Sequence, residues 1–383
     1  KAIKREVQTP YDKLFKGKKA FTVNGLMKMH LMAGKVYAEF PIELLNRDLA
    51  LTSSIEDISD NGEGVVGQFA GRVNQFRFTL QDSMLQARLV RRYGVKNTGM
   101  GKNADQIIER SNTPGIFQSY KILAYTPDKK AVVVDMTELF LESSRLTNPF
   151  PSYAGNSLYG FVQRIHKFQS QRSELLGICG NDNSMSVRCN LGFNVDRLVL
   201  GSFMQAKDVP VSVTVNKILM LLPEDPMRPR LADSRIGVNA IIQTELPDVC
   251  QGIKTYYITK RWRIEPVDEI RYKQGEMVDV KKPIVFYIDT LMPDSWIKYV
   301  KAGAEAWNAA FEKIGLRNVV RTELFPKDSS FDAGDIHNSV IRYAPSWMYY
   351  PQYSMHTDPR TGEILNASVY LPANVASYFY TSR

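Results

Sequence analysis

Histidine is scarce in this chain of 383 residues, which contains only His30, His166, His337 and His356. No two of them are four residues apart, so the chain lacks the His-Glu-x-x-His sequence in which one helix places two imidazoles on a zinc ion. The sequence therefore predicts no catalytic residue, no metal ligand and no bound cofactor within this chain.

Cysteine is equally sparse, and long apolar runs are missing. Cys179, Cys189 and Cys250 are odd in number and lack Cys-x-x-Cys spacing, which argues against a metal or redox role. No apolar run reaches the roughly 18 residues of a membrane-spanning helix, so we expect no transmembrane segment. The net charge is +9, but the basic residues are dispersed and no nucleic-acid motif accompanies them. We therefore expect no nucleic-acid partner.

The residues before about position 270 alternate repeatedly between apolar and polar side chains, which is typical of half-buried strands. This pattern predicts two antiparallel hairpins, formed by Phe76–Leu80 with Leu85–Leu89 and by Lys121–Tyr125 with Ala131–Asp135. Val211, Val213 and Val215 indicate a further strand. Helical periodicity is limited to Ala104–Arg110 and Ser157–Lys167. The first two thirds of the chain should therefore consist of antiparallel β modules.

The pattern changes near Val278. Ile284–Ile288 is a continuous apolar run, which predicts a central strand buried on both faces. An apolar helical stripe follows over Asp294–Ile314, and the face expected to pack on the sheet carries Ile297, Val300, Ala304, Trp307, Phe311 and Ile314. Asn318–Leu324 and Ser339–Tyr343 are strand-like. This order of strand, helix and strand predicts a parallel crossover with the helix packed on one face of the sheet.

A final hairpin is predicted around the turn Thr357–Glu363, because Asp-Pro and Thr-Gly favour tight turns. Its flanks are Tyr349–His356 and Ile364–Leu371. His356 lies just before the turn, and with no second histidine at metal spacing we expect it to be a surface or strand-end residue.

Several phrases in this region resemble a family of large bacterial zinc-dependent metalloproteases of the zincin clan. The phrases that carry the resemblance are Pro283–Asp289, Ala306–Phe311, Ser339–Tyr343 and Asp358–Ile364, with Pro229–Gly237 and Arg261–Glu265 upstream. The resemblance implies a multidomain α+β protein with antiparallel β-rich N-terminal modules. A partial zincin-like α/β domain should follow, with a mixed sheet and one long crossover helix.

The predicted domains are a small β-rich domain over 1–65, a larger β-rich domain over 66–277, and a truncated zincin-like subdomain over 278–383. In the family, the zinc-binding helix follows the final hairpin. The resemblance thus implies an exported parent protein that cleaves peptide bonds with zinc supplied by residues beyond this chain. We also expect an apolar surface below Val369 and Leu371 that is exposed or covered by another chain.

The strand before the final turn should form the rim of the substrate cleft, where an extended peptide pairs by β-augmentation. The resemblance therefore points to Tyr353, Ser354, Met355 and His356 as substrate contacts, made largely through the backbone. An ordinary edge strand protected by Pro351 is the simpler interpretation of the same residues. The expected partners are a peptide or protein substrate and the missing C-terminal part of the same protein.

Two other functions remain open at this stage. The chain could be a non-enzymatic extracytoplasmic protein that binds peptide or glycan and carries a degenerate zincin-like domain. It could also be a surface structural protein without a ligand.

Overall fold

The computed structural model describes residues 8–69, 73–90, 95–143, 148–150, 154–157, 160–199, 203–248, 252–327, 331–346 and 351–381. The chain divides into two compact units. The first comprises Lys1–Ser53, Ala70–Glu224 and Gln243–Tyr256, and the second comprises Ser54–Phe69, Asp225–Ile242 and Tyr257–Arg383. In the described part of the chain, no helix has the length and apolar character needed to cross a membrane.

Strands dominate the described residues, which makes the protein β-rich with several antiparallel sheets. The strands up to residue 199 are β1 Phe21–Val23, β2 Lys28–Met32, β3 Lys35–Pro41, β4 Leu49–Ile58, β5 Asn74–Gln81, β6 Met84–Leu89, β7 Val95–Asn97, β8 Gly115–Lys121, β9 Ala124–Tyr125, β10 Ala131–Asp135, β11 Ala154–Ser157, β12 Gly160–Asn181 and β13 Ser184–Val199. The later strands are β14 Phe203–Leu221, β15 Ala240–Leu246, β16 Lys254–Thr259, β17 Val278–Asp279, β18 Ile284–Ile288, β19 Leu316–Arg317, β20 Val320–Leu324, β21 Ser339–Ala344, β22 Gln352–Thr357 and β23 Ile364–Pro372.

Helices are short by comparison. They are α1 Pro10–Phe15, α2 Lys102–Ser111, α3 Thr137–Leu141, α4 Glu269–Lys273, α5 Asp294–Glu305, α6 Asn308–Glu312 and α7 Val375–Thr381, with a 3₁₀ turn at Ile42–Leu44.

The first unit is built from two antiparallel sheets. One has the order β1-β2-β3-β10-β9, and the other has the order β11-β12-β13-β14-β4-β5-β6-β8. Their apolar faces enclose one core that includes Phe40, Phe76, Phe78 and Phe140. Phe40 and Phe78 meet with ring centroids 4.7 Å apart. Burial of these aromatic side chains and of the aliphatic residues around them stabilises this unit.

The predicted hairpin around Gln81-Asp82-Ser83 is confirmed, because β5 and β6 pair with Gln81 opposite Met84. The strand predicted from Val211, Val213 and Val215 is also confirmed within β14, where all three side chains are buried. The helix predicted over Ala104–Arg110 is confirmed by α2.

The helix predicted over Ser157–Lys167 is wrong. Those residues lie largely in β12, which pairs with β13 along most of its length. Ile165 and Lys167 face outward, while His166 stacks against Phe150 with ring centroids 4.1 Å apart. Long-range pairing has overridden a weak local helical pattern, as tertiary context commonly does.

The second unit contains a five-stranded mixed sheet with the order β20-β18-β21-β23-β22. β18 lies between β20 and β21 and is parallel to both, so the predicted central position of Ile284–Ile288 is confirmed. Only Ile284 and Ile288 are fully buried, so the expectation of burial on both faces is wrong for the three residues between them. β23 is parallel to β21 and antiparallel to β22, which confirms the predicted final hairpin.

The predicted single helix Asp294–Ile314 is two helices, α5 and α6, separated at Ala306 and Trp307. The interruption accompanies two hydrogen bonds of 2.8 Å between the Asn308 side-chain amide and the backbone of Val320. Trp307 is 67% exposed and Ile314 is 56% exposed, although the helical stripe predicted both to be buried. Trp296, Ile297 and Val300 of α5 do pack against Ile288 and Ile341 of the sheet.

The interior position of β18 gives a stability test. We expect Ile288→Ala to lower the free energy of unfolding by about 2–5 kcal/mol, because Ile288 is 1% exposed and its removal leaves a cavity. The matched control is Leu291→Ala, at a position that is 84% exposed, which should change stability by less than about 0.5 kcal/mol. Denaturant unfolding of both variants checks this. Equal effects would contradict the interior placement.

Candidate functional site

The strand β22 lies at one edge of the sheet in the second unit and has a neighbouring strand on one side only. It pairs with β23 so that Tyr353 is opposite Val369 and Ser354 is opposite Ser368. The sequence-predicted residues Tyr353, Ser354, Met355 and His356 therefore all lie on an antiparallel edge strand. An edge of this kind presents backbone N–H and C=O groups that another extended chain can pair with.

The side chains of β22 alternate between the two faces of the sheet. Tyr353 is 57% exposed, and its hydroxyl accepts a hydrogen bond of 2.8 Å from the Asn239 side-chain amide. Met355 is half-buried. Tyr353 and Met355 share a face with Val369, because paired residues in antiparallel strands point the same way.

Ser354 and His356 lie on the opposite face, which is covered by residues 54–69, here called the strap. The Phe69 ring stacks on the His356 ring with centroids 3.7 Å apart. The Phe69 backbone N–H donates to Ser354 Oγ at 3.3 Å, and the Tyr370 hydroxyl donates to the Gly67 carbonyl at 3.2 Å. The strap thus fixes the edge strand from a position nearly 300 residues away in sequence.

His356 is 2% exposed, so the expectation of a surface residue is wrong, although the histidine does lie at the end of β22, next to Thr357. Its burial follows from the stacked Phe69 ring, which no local pattern around His356 reveals. Desolvation by burial lowers the pKa of His356 to about 3, so the imidazole is neutral near pH 7. Only the backbone of this residue is in a position to serve a ligand at the sheet edge.

The turn after β22 is fixed by an ion pair. Asp358 is fully buried and accepts from Arg360 through both carboxylate oxygens, with Nε–Oδ1 at 3.0 Å and Nη2–Oδ2 at 2.7 Å. A bidentate pair of this kind is strong and geometrically specific. The Asp358 carboxylate is therefore committed to holding the turn.

Gly362 allows the turn to pack closely against residues 259–261, which precede the sheet in sequence. Its φ is +77°, and a Cβ there would lie 2.3 Å from the carbonyl oxygen of Thr259. The close approach allows the Arg261 N–H to donate to the Gly362 carbonyl at 3.0 Å and the Ile364 N–H to donate to the Arg261 carbonyl at 2.8 Å. Two of the phrases that carry the family resemblance, around Arg261 and Asp358, are thus in direct contact.

Glu363, the next residue, lies against Arg263, with Nε 3.3 Å from Oε1. Burial raises the pKa of the Glu363 carboxyl, and the neighbouring Arg263 only partly offsets that effect. Both turn carboxylates are engaged by arginines rather than directed toward an open site. In the described ranges of the chain, no three His, Cys, Asp or Glu side chains come together in a way that could hold a metal ion.

An apolar cavity of about 710 Å³ lies between α5 and the sheet on the face that carries Val369 and Leu371. Three tryptophans contribute to its lining, namely Trp262, Trp296 and Trp307. Within α5 no residue is fully buried, although the helix packs on the sheet. The volume lies within the range of small-molecule and peptide-binding clefts, and its walls are almost entirely hydrocarbon.

Comparison with known families places the chain. The family described as a domain of unknown function, DUF5117, matches residues 67–267, which is more than half of the sequence. The chain belongs to this family. A second family, described as domain of unknown function DUF5118, matches residues 8–58.

Neither description names an activity. No curated protein matches the DUF5117 chain, and no solved structure does so either.

Sequence reasoning missed the strap. Its residues include Gly62, Gly64 and Gly67, and a Cβ at Gly67 would lie 2.5 Å from Arg342 Cδ. The dense glycine spacing was the available signal, because it indicates close backbone approach. Nothing local identified the partner strand.

The turn geometry predicts unequal effects of two glycine substitutions in the same unit. Gly362→Ala should destabilise the protein by roughly 2 kcal/mol or more, because it combines a positive φ with a clash against Thr259. Gly275→Ala has a similar φ of +87° but open space around the new methyl group, so only about 1 kcal/mol is expected. Thermal and denaturant unfolding measure both. A Gly275 variant less stable than the Gly362 variant would refute the close approach.

The buried His356 also predicts a pH dependence. Its folded pKa is about 3 whereas the unfolded value is 6.5, so the unfolded chain binds the extra proton as pH falls between these values. His356 should therefore cost stability below pH 6.5, by up to about 1.4 kcal/mol per pH unit. His356→Phe keeps a ring against Phe69 and should reduce the loss of stability between pH 7 and pH 4. Tyr353→Phe, the control in the same strand, should retain the wild-type slope, and equal slopes in all three proteins would contradict this account.

Proposed function

We propose that this DUF5117 chain is the N-terminal portion of an exported zinc-dependent metallopeptidase whose full-length parent cleaves peptide bonds. The observation that carries the proposal is the strand order β20-β18-β21-β23-β22, with an antiparallel edge strand at the end of an otherwise parallel sheet. This is the arrangement that the resemblance to zincin metalloproteases implies. The second unit would then supply the substrate-binding half of the catalytic domain.

In this proposal, β22 binds the substrate backbone. An extended peptide would add to the open edge beside Tyr353, Ser354, Met355 and His356 and continue the sheet by main-chain hydrogen bonds. Tyr353 and Met355 would contact substrate side chains on the cavity face. Ser354 and His356 would act through their backbone, because the strap covers their side chains.

The apolar cavity supports the same proposal. Val369 and Leu371 contribute to the wall of the cavity. At these residues the resemblance implies an apolar surface that is exposed or covered by another chain. An amphipathic helix of the parent that carries the zinc-binding histidines would bury its apolar face there. Burial against three tryptophans would stabilise such a helix strongly, because aromatic side chains bury large apolar areas.

Zinc ligands do not fit the described residues of this chain, since no suitable cluster of side chains is present among them. We assign the ligands and the glutamate base to the parent beyond Arg383. When bound there, zinc would supply a water molecule of lowered pKa as the nucleophile. The role of this chain is to align the scissile peptide. The proposal that the parent is exported is based on the family resemblance alone.

A comparison of two proteins tests the proposal. Purified residues 1–383 should hold substoichiometric zinc after dialysis and lack chelator-sensitive peptidase activity, because a catalytic site needs three protein ligands. The extended parent, read from the coding sequence past Arg383, should contain His-Glu-x-x-His, bind one zinc and cleave peptides.

Metal analysis and a fluorogenic peptide assay with and without chelator measure these properties. One-to-one tight zinc in residues 1–383 would overturn the assignment. A parent that binds peptide without the zinc motif or cleavage would favour the alternative, a peptide- or glycan-binding protein with a degenerate zincin-like domain.

A further inference from the structure

Three side chains on adjacent strands of the first unit form a continuous hydrogen-bonded chain. Thr22 on β1 is opposite His30 on β2, and Thr22 Oγ1 lies 2.8 Å from His30 Nδ1. His30 Nε2 lies 2.9 Å from Oε1 of Glu39 on β3. A hydroxyl, an imidazole and a carboxylate are thus arranged in series, although the three residues span only 18 positions of the sequence.

The partners of Glu39 establish the direction of these hydrogen bonds. Tyr11 donates its hydroxyl to Oε1 at 2.7 Å, and Lys28 Nζ lies 3.3 Å from Oε2. Burial raises the pKa of Glu39, but the hydrogen bonds from His30 and Tyr11, with the charge of Lys28, outweigh it and leave the pKa below its usual value. Glu39 is therefore an ionised acceptor near pH 7.

An ionised carboxylate can only accept a hydrogen bond, so His30 Nε2 is the donor to Glu39. In the tautomer that this bond selects, Nδ1 carries a lone pair and accepts from the Thr22 hydroxyl. This is the arrangement of an activated nucleophile, in which a hydroxyl contacts a base and a carboxylate orients that base. The two ring nitrogens have exchanged the roles they have in the serine protease triad.

The nucleophile of this series is on an exposed residue, whereas the base and the carboxylate are buried. Thr22 is exposed on β1, an edge strand, whereas His30 and Glu39 are each only 6% exposed. The Phe15 ring covers the His30 ring with centroids 4.4 Å apart. The base is shielded from bulk water, while Thr22 itself is an exposed residue whose hydroxyl takes part in a part-buried hydrogen bond.

We propose that Thr22 is a nucleophile that accepts an acyl group from a carboxylic ester, with His30 as general base and Glu39 as its positioning residue. The Thr22 Oγ–H bond breaks and its proton moves to His30 Nδ1 as Oγ forms a bond to the ester carbonyl carbon. The alkoxide or phenoxide of the ester then leaves and takes that proton, so the products are acyl-Thr22 and an alcohol or phenol. This activity belongs to the first unit and is independent of the proposed peptidase.

The test uses purified residues 1–383 and p-nitrophenyl acetate as the probe. We expect a burst of p-nitrophenol and one added acetyl group, located at Thr22 by peptide mass spectrometry. Thr22→Val should abolish both, because valine keeps the strand shape without the hydroxyl, and Thr22→Ser should retain them. Thr113→Val is the matched control, since Thr113 is exposed but its hydroxyl donates to the Glu109 carbonyl rather than to a base.

Glu39→Gln tests the positioning role separately. It should lower the maximal acylation rate by about tenfold or more while leaving the half-saturating ester concentration unchanged, because the imidazole loses the partner that selects its tautomer. Its melting temperature identifies any general loss of structure. Acetylation that persists in Thr22→Val, or an acylation rate at Thr22 no higher than at Thr113, would overturn the proposal and leave the series as a structural network.

Discussion

The second unit depends on the pairing of β18 between β20 and β21. That parallel pairing places Phe286 and Ile288 in one apolar cluster with helix α5, and Ile284 in another with Phe311 of α6. β21 extends the sheet on one side of β18, β23 pairs with β21, and β22 is therefore the last strand on that side. The open sheet edge and the apolar cavity are both consequences of this one arrangement, because each is bounded by the strands that β18 positions.

Two long-range contacts then hold the hairpin of β22 and β23 in place. Because Gly362 has no side chain, the backbone of Thr259 approaches it closely and the turn forms hydrogen bonds with Arg261. In the second contact, Phe69 of the strap stacks on His356. The first contact orients the turn, and the second closes one face of β22. A substrate that pairs with this strand would therefore meet an ordered edge whose side-chain contacts are confined to the cavity face, which reduces the entropy lost on binding.

The sequence predicted the elements of the second unit well, because the signals were local. The apolar run Ile284–Ile288 and the turn chemistry at Asp358–Gly362 identify a strand and a hairpin without reference to the rest of the chain. The burial of His356 was not predictable in this way, since it depends on Phe69. The break at Trp307 lies beside the hydrogen bonds between Asn308 and Val320, a contact with a distant strand that no local pattern reveals. The hydrogen-bonded series of Thr22, His30 and Glu39 required knowledge of the strand register.

The central claim is that β22 binds an extended peptide, and hydrogen–deuterium exchange tests it most directly. The extended parent would be stripped of metal to prevent cleavage and measured with and without a peptide substrate. Peptide should slow exchange in Gln352–Thr357 and leave Val320–Leu324, the opposite edge of the same sheet, unchanged. Protection at Val320–Leu324, or no protection at Gln352–Thr357 under saturating peptide, would contradict the account.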